Sequence, residues 1–536
     1  MRLLIVYFIQ RGLFYSHYLK QVSHLIKRLL SSSLTVSALT LVSRILGFLR
    51  DMLIAHYFGV SSTTDAFFVA FKLPNFFRRL FTEGAFAHAF IPILLEHQTY
   101  NDHNTFKKFM NSTAGILLLI LSTSLVISLL AAPLIISLIA PGFTWNSLQH
   151  TEATQLLRIM LPYLAFIVLI GFSGSLMTMH RQFVVPTLTP ALLNISMIAC
   201  TLYLTPYTST PIKALAWGVF LGGILQIACQ IPSLQRLNLL PKINLSRPDN
   251  KSIDMLRRLI PTIFSSSVTQ INLLLDSFIA SFLSAGSVSW LYYSDRLVEL
   301  PVGLMGATLS TVLLPHLTHH HIHKHSLAFS DTLSAGLRLS LLISLPASIG
   351  LIFLAEPILI TLFNYQEFTA TDVHFTAQSL QAYALGLPAF IAIKVLITGF
   401  SARQDIKTPL RYGYYALGIS LLLNILAWPF GHAGLALATS LGALINALLL
   451  LKKLLHDKLI APKRSTYKFI IKLIISNVLM ALGLYYGLEQ PEWFTLAGNE
   501  RIVYLIKFIF LGMIIYSLSV FLLGLTKTNL PKPLQQ

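Results

Sequence analysis

The sequence predicts an all-α polytopic membrane protein, with 14 transmembrane helices arranged as two parallel-related six-helix lobes plus two C-terminal helices. Three observations lead there. Only 11% of the 536 residues are charged while 55% are hydrophobic; an ordinary soluble domain carries roughly 25% charge, so a soluble enzyme is excluded. The apolar residues run in stretches of about twenty, the length that crosses the hydrocarbon core as a helix, and not in the short alternating segments of a membrane barrel. The basic residues, finally, gather in every second loop, the signature of a chain threaded repeatedly through a bilayer.

Fourteen stretches qualify: 33–57, 65–92, 111–140, 154–177, 186–205, 213–233, 259–283, 287–315, 335–363, 376–400, 410–430, 434–451, 469–488 and 502–525. Of the 39 Lys and Arg, 28 fall in the termini and alternate loops with their immediate span edges, and the intervening loops with theirs hold only Lys213 and Arg501. The excess marks the cytoplasmic side, so both termini are expected there. The net charge of +19 is then a matter of topology, and no nucleic-acid partner is implied. The short run Leu3–Ile9 is followed by Arg11 and Lys20 without a small-residue cleavage site, which reads as a cytoplasmic extension on the membrane surface, not a signal peptide.

A repeat divides the chain. Asp51-Met-Leu-Ile-Ala55 recurs as Asp276-Ser-Phe-Ile-Ala280, Arg181-Gln182 as Arg403-Gln404, Asn194-Ile195 as Asn424-Ile425, and Leu215-Ala216 as Leu435-Ala436. The interval is about 220 to 230 residues throughout, the mark of a duplicated bundle. Six spans are an even number, so both copies keep one orientation. The expected segments are a cytoplasmic extension over 1–32, a first lobe over 33–233 (spans one to six) and a cytoplasmic linker over 234–258. A second lobe over 259–451 (spans seven to twelve) and a segment over 452–536, holding spans thirteen and fourteen with their cytoplasmic flanks, follow.

Nine basic residues remain within the spans: Arg44, Arg50, Lys72, Arg78, Arg79, Arg158, Arg296, Lys394 and Lys507. A charge at the centre of a span costs about 2.5–3.5 kcal/mol on insertion scales, so such a group points to function. Arg44 and Arg50 stand about 120° apart on an ideal helix and share a face only if it bends, for which Gly47 is the candidate. In the second span Asp65, Lys72, Arg79 and Glu83 form one stripe, with Arg78 about 100° away unless Pro74 shifts the phase. In the eighth, Asp295-Arg296 and Glu299 set a third basic centre. Basic residues from both halves suit a phosphate or diphosphate; internal salt bridges are the structural alternative.

These residues resemble a known family. The motifs SRILGFLRD, TDAFFVAFKLPNFFRR and FTEGAFAHAFIPIL between Ser43 and Leu95, SFLSAGSVSWLYYSDRLVELP at 281–301 and SARQDIKTP at 401–409 are similar to those of the MurJ (MviN) flippases. The resemblance covers roughly residues 30–525. It implies a fold like the multidrug and polysaccharide exporters (MATE-like, of the MOP superfamily). It also implies outward transport of lipid II, the undecaprenyl-diphosphate-linked peptidoglycan precursor, across the bacterial inner membrane in cell-wall biogenesis. Membrane lipids and other cell-wall synthesis proteins are the further partners it suggests. Carried over by motif position, the substrate-binding residues are Arg44, Arg50, Arg78 and Arg296, supported by Asp51, Asp65, Lys72, Arg79, Glu83, Asp295 and Glu299. Some members bind sodium in the second lobe; Asp276 and Asp405 are the carboxylates here that would serve, although Ser401, Leu417 and Leu421 stand where further oxygen ligands are expected. No other cofactor is implied.

The competing readings are a MATE-type drug or cation exporter, which needs an apolar or acidic pocket, and a membrane enzyme acting on lipid diphosphates, which needs a nucleophile or general acid beside the arginines. Spans thirteen and fourteen, outside the duplication, are expected to line an apolar groove for a polyprenyl tail with Ile475, Leu479, Leu482, Phe508 and Leu511. The histidines His316, His319, His320, His321, His323 and His325 read as a solvated cytoplasmic loop, and Cys200 and Cys229 as packing residues.

Overall fold

A computed structural model describes residues 35–82, 90–96, 103–241, 257, 274–460, 464–487 and 492–525. The seventh predicted span falls mostly outside the described residues, as do Glu83, the extension over 1–32 and most of the linker. Eighteen helices and no strand occur among the described residues: α1 (35–58), α2 (Ser62–Thr82), α3 (90–96), α4 (His103–Ile139), α5 (Leu148–Met160), α6 (Pro162–Met179), α7 (Val184–Tyr203), α8 (Lys213–Arg236) and α9 (274–280), then α10 (Ser287–Pro301), α11 (Ala307–Ile322), α12 (Ser326–Phe353), α13 (Ala355–Leu362), α14 (Ala370–Ser401), α15 (Lys407–Ala427), α16 (Gly431–His456), α17 (Arg464–Gly487) and α18 (Gly498–Leu522).

Ten helical segments among the described residues are long and apolar enough to cross a membrane. One, Lys407–His456, contains both the eleventh and the twelfth predicted spans: Gly431, at φ 60°, follows a 3₁₀ turn at Trp428–Phe430 and folds the run into the α15–α16 hairpin. The helices α1 and α2 at the first two predicted spans carry the intramembrane charges and stand outside those ten. The eighth predicted span is interrupted, because a π-helical stretch, Val302–Gly306, separates α10 from α11. The ninth ends early at Phe353, with α13 as a separate short helix.

The described helices form two compact units, each built from separate stretches of chain. The first lies within 1–51, 73–132 and 156–270, the second within 52–72, 133–155 and 271–536. In the first, Phe90, Phe106, Phe109, Phe172, Leu176 and Leu234 form one buried apolar cluster. In the second, α17 and α18 pack on α12 and α13 through Leu354, Met480, Leu484 and Phe508 and, further along, through Phe469, Leu473 and Val520. Phe508 is therefore interior, and Leu511 packs against the same cluster. Only Ile475, Leu479 and Leu482 of the expected groove residues face outward. The reason is helical phase: Gly512 on α18 meets Met480 and Leu484 of α17, which turns Phe508, one turn earlier, to the same contact.

The repeated Arg-Gln pairs lie at helix ends of one kind, one residue out of register with each other. Arg181 and Gln404 both adopt left-handed backbone, at φ 61° and 59°, and each closes the helix before it with a bond from the following amide, Gln182 to Met177 and Asp405 to Phe400. This is the Schellman ending. The hairpins α7–α8 and α15–α16 also approach closely at glycines. Gly218 lies against the Met197 backbone, where a Cβ would stand 2.8 Å from Cα, and Gly442 lies against Ser420.

Candidate functional site

Arg50 is fixed in place by its surroundings. It is 4% exposed and donates through Nε (3.0 Å) and Nη2 (2.6 Å) to Asp51 Oδ1, and through Nη1 to Asn194 Oδ1 (3.0 Å). Asn194, on α7, also donates from Nδ2 to the Ser43 carbonyl (3.1 Å), so one amide bridges α1 on either side of Gly47. That explains the glycine: α1 runs helical through Gly47, and the missing side chain is what lets Asn194 approach. Arg44 and Arg50 do not share an environment on α1. Arg44 is exposed while Arg50 is buried. Arg50, expected as a direct substrate ligand, thus has its guanidinium committed within the first unit, because a buried cation must be paired.

Arg78 is half-buried and anchored on Asn75, one turn back, through Nε (3.2 Å) and Nη2 (2.9 Å). It and Arg50 both act electrostatically on the buried Tyr163, which brings these two predicted residues into one neighbourhood. Arg79 is half-buried too.

In the second unit, Arg296 donates to Glu299 Oε2 at 2.9 Å, with 28% of its side chain exposed. Its guanidinium carbon lies 5.4 Å from the Tyr292 ring centroid, and Tyr292 in turn stacks on Phe68 of α2 at 3.9 Å. Exposed pairs at helical spacing contribute only about 0.3–0.5 kcal/mol, so the Glu299 contact orients Arg296 and adds little to stability. Asp295 is exposed, and Lys72 half-buried. Lys72 and Asp295 both act electrostatically on Asp276. Asp405 accepts from the Thr408 amide (3.0 Å) and caps α15. No group of three or more His, Cys, Asp or Glu that could hold a metal occurs among the described residues. Asp276 has Lys72 as a compensating charge, and Asp405 is engaged at the start of α15.

Asp65, placed by periodicity in the polar stripe, serves a helix end instead. Its buried carboxylate accepts the Gly286 amide (2.6 Å), the Ser289 amide (2.9 Å) and the Ser289 hydroxyl (2.6 Å), capping α10 at its positive end. Gly286 has φ 97°, a left-handed conformation that a side chain would strain, and it aims its amide at Asp65. Other loops meet nearby in the same unit. The Gly142 amide donates to Ser281 Oγ (3.0 Å), the Glu367 amide to the His56 carbonyl (3.4 Å), and Arg501 to the Asn364 carbonyl (3.2 Å). The charge pattern had assigned every one of these loops to the non-cytoplasmic side. Among the loops assigned to the cytoplasmic side, Asp457 receives Lys453 (2.7 Å) and Arg403 (3.8 Å); the Lys453 hydrogen bond leads in holding its carboxyl below the usual carboxylate range.

Sequence reading missed Asn75, Asn194, Tyr292 and Ser289. A polar side chain within an apolar span was the available signal for Asn75, Asn194 and Ser289, and helical spacing to Arg296 for Tyr292; which partners Asn194 and Ser289 meet comes from packing.

The fold and its buried charges define a polytopic helical transporter. The solved structure of an inward-facing MATE-family multidrug resistance transporter of the MOP superfamily matches 80% of this chain and 98% of that one, with a TM-score of 0.65 at 12% identity, a likeness of fold alone. The profile of the family described as "Lipid II flippase MurJ" matches residues 54–504, and the chain belongs to the MurJ family. It is 40% identical over 506 residues to a probable lipid II flippase MurJ of Haemophilus influenzae, covering 92% of this chain and 99% of that one. To a probable lipid II flippase MurJ of Vibrio cholerae it is 39% identical, covering 94% and 98%. A solved structure titled lipid II flippase MurJ in an inward closed conformation matches with a TM-score of 0.79 at 29% identity, over 90% of this chain and 97% of that one. The proteins so named are transporters and not enzymes, and this chain is a multi-pass membrane protein of their family.

Proposed function

We propose that the chain is a lipid II flippase of the bacterial cytoplasmic membrane, carrying the lipid-linked peptidoglycan precursor from the inner to the outer leaflet by alternating access. The observation that carries this reading is Arg296, a guanidinium within α10 that stays partly exposed while paired with Glu299. Its planar fork is suited to two-point contact with a diphosphate, and in the first unit the exposed Arg44 and the Asn75-anchored Arg78 are donors of the same kind. Arg50 acts as the positioning residue of the first unit. A cation exporter would gain nothing from these arginines. The α10 cap at Asp65 and the neighbouring loop contacts hold the helix ends of the second unit together.

Growth of a flippase-depleted strain tests the assignment. Arg296→Ala is expected to fail to support growth at native expression, Arg296→Lys to support it poorly because a point charge replaces the fork, and Glu299→Gln to retain most of it. The purified Arg296→Ala protein should also lose most lipid II binding by native mass spectrometry. Normal growth and binding for Arg296→Ala would remove the head-group assignment.

Both termini lie in the cytoplasm in this reading. Single cysteines in place of Ser284 or Gly498 are then expected to react with a membrane-impermeant maleimide added to intact spheroplasts, and a cysteine at Lys458 only after lysis. Labelling at Lys458 from outside would reverse the topology.

A further inference from the structure

The histidines between His316 and His325 take no part in the transport reading. They do not form a loop. The first four end α11, and the last two lie on the tight turn into α12. That turn is a Schellman ending: Lys324 is left-handed at φ 56°, the His325 amide donates to the His320 carbonyl (2.9 Å), and the Lys324 amide donates to the His321 carbonyl (3.1 Å). These bonds fix the backbone from His320 to His325 and so fix where the rings can go.

On this scaffold His319 and His323 stand four residues apart, hence on one face, with ring centroids 4.3 Å apart and planes 33° from parallel. His323 Nδ1 lies 2.9 Å from the His319 carbonyl oxygen. A carbonyl only accepts, so Nδ1 carries the proton and Nε2 presents its lone pair. Metal-ligating histidines are held in this way, the second ring nitrogen bonded to a carbonyl. Both residues are exposed, so the pair is open to solvent. His325 lies 5.9 Å from His323 and His320 lies 5.7 Å from His319, leaving further imidazoles close by. Among the described residues the charged neighbours acting on His320 are all histidines; with no carboxylate among them, the chemistry does not suit the oxygen-seeking calcium or magnesium.

We propose that His319 and His323 form a two-imidazole site for a borderline divalent transition metal such as Zn²⁺, Ni²⁺ or Cu²⁺, with water completing the coordination. The protein supplies two ligands, so binding is reversible and open to exchange, and the bound ion stiffens the α11–α12 turn.

Full-length protein purified in detergent on a histidine-free affinity tag is titrated with ZnCl₂ by calorimetry, and with Cu²⁺ by electron paramagnetic resonance. The native protein is expected to bind one saturable equivalent, with nitrogen hyperfine structure in the copper spectrum. His319→Ala and His323→Ala should each weaken that binding at least about tenfold while His316→Ala does not, and unchanged gel-filtration profiles show that the variants remain folded. Absence of saturable binding in the native protein, or its survival in either of the two variants, overturns the proposal.

Discussion

Replacing Arg50 by alanine is expected to abolish growth of a flippase-depleted strain and to lower the thermal stability of the purified protein. Arg50 and Asp51 are 4% and 1% exposed, and both nitrogen contacts to Asp51 go to one oxygen. Without the guanidinium the buried Asp51 carboxylate loses that charge partner, and removing one member of a buried pair costs about 3–5 kcal/mol. The amide bridge from Asn194 loses its partner on the far side of Gly47 as well, so α1 and α7 are held less closely. Removing both charges, as Arg50→Ala with Asp51→Ala, should recover part of the melting temperature without restoring growth. That split separates the stabilising role of the pair from its role in transport. A single Arg50→Ala variant that melts with the native protein and supports growth would sink the argument.

The second large effect is expected at Asp65. Its carboxylate accepts three hydrogen bonds, from two amides and one hydroxyl, at the start of α10. In Asp65→Ala each orphaned buried donor costs about 1–3 kcal/mol, and α10 loses an anion at its positive end. The helix that begins there carries Arg296. A loosened start should therefore show first as faster labelling of a cysteine placed at Ser284, and then as transport reduced at least about tenfold for a loss near 1.4 kcal/mol or more at the transition state. Ser289→Ala removes the hydroxyl donor and keeps the amide, so its effect should be smaller than that of Asp65→Ala. Unchanged labelling together with normal growth in Asp65→Ala would show that the cap is dispensable.

The two sites differ in how far the sequence disclosed them. Arg50 and Asp51 are neighbours in the chain, and a charged pair inside an apolar run is conspicuous by its insertion cost, so their importance could be read directly. Asn194, which decides how Arg50 is held, lies 144 residues away. Asp65 was legible as an intramembrane acid, yet its donors lie 221 and 224 residues further on. Periodicity assigned it to a stripe with Lys72, because a helical wheel sees only residues on one helix.

The sequence by itself determined the helical class, most span positions, the alternation of basic loops, the duplication and the family motifs. Each follows from local quantities: the hydrophobicity of about twenty consecutive residues, the charge of a loop, or identity at a fixed interval. Only the tertiary structure decided which arginines are tied and which are exposed, that the eighth span is broken by the π-helical Val302–Gly306, and that Phe508 faces inward against Met480 and Leu484. It likewise showed that the histidines end a helix. These depend on which helices pack together and in what rotational phase. Close approaches at small residues such as Gly218 and Gly512 set that phase, and long-range partners satisfy the buried polar groups that water cannot reach.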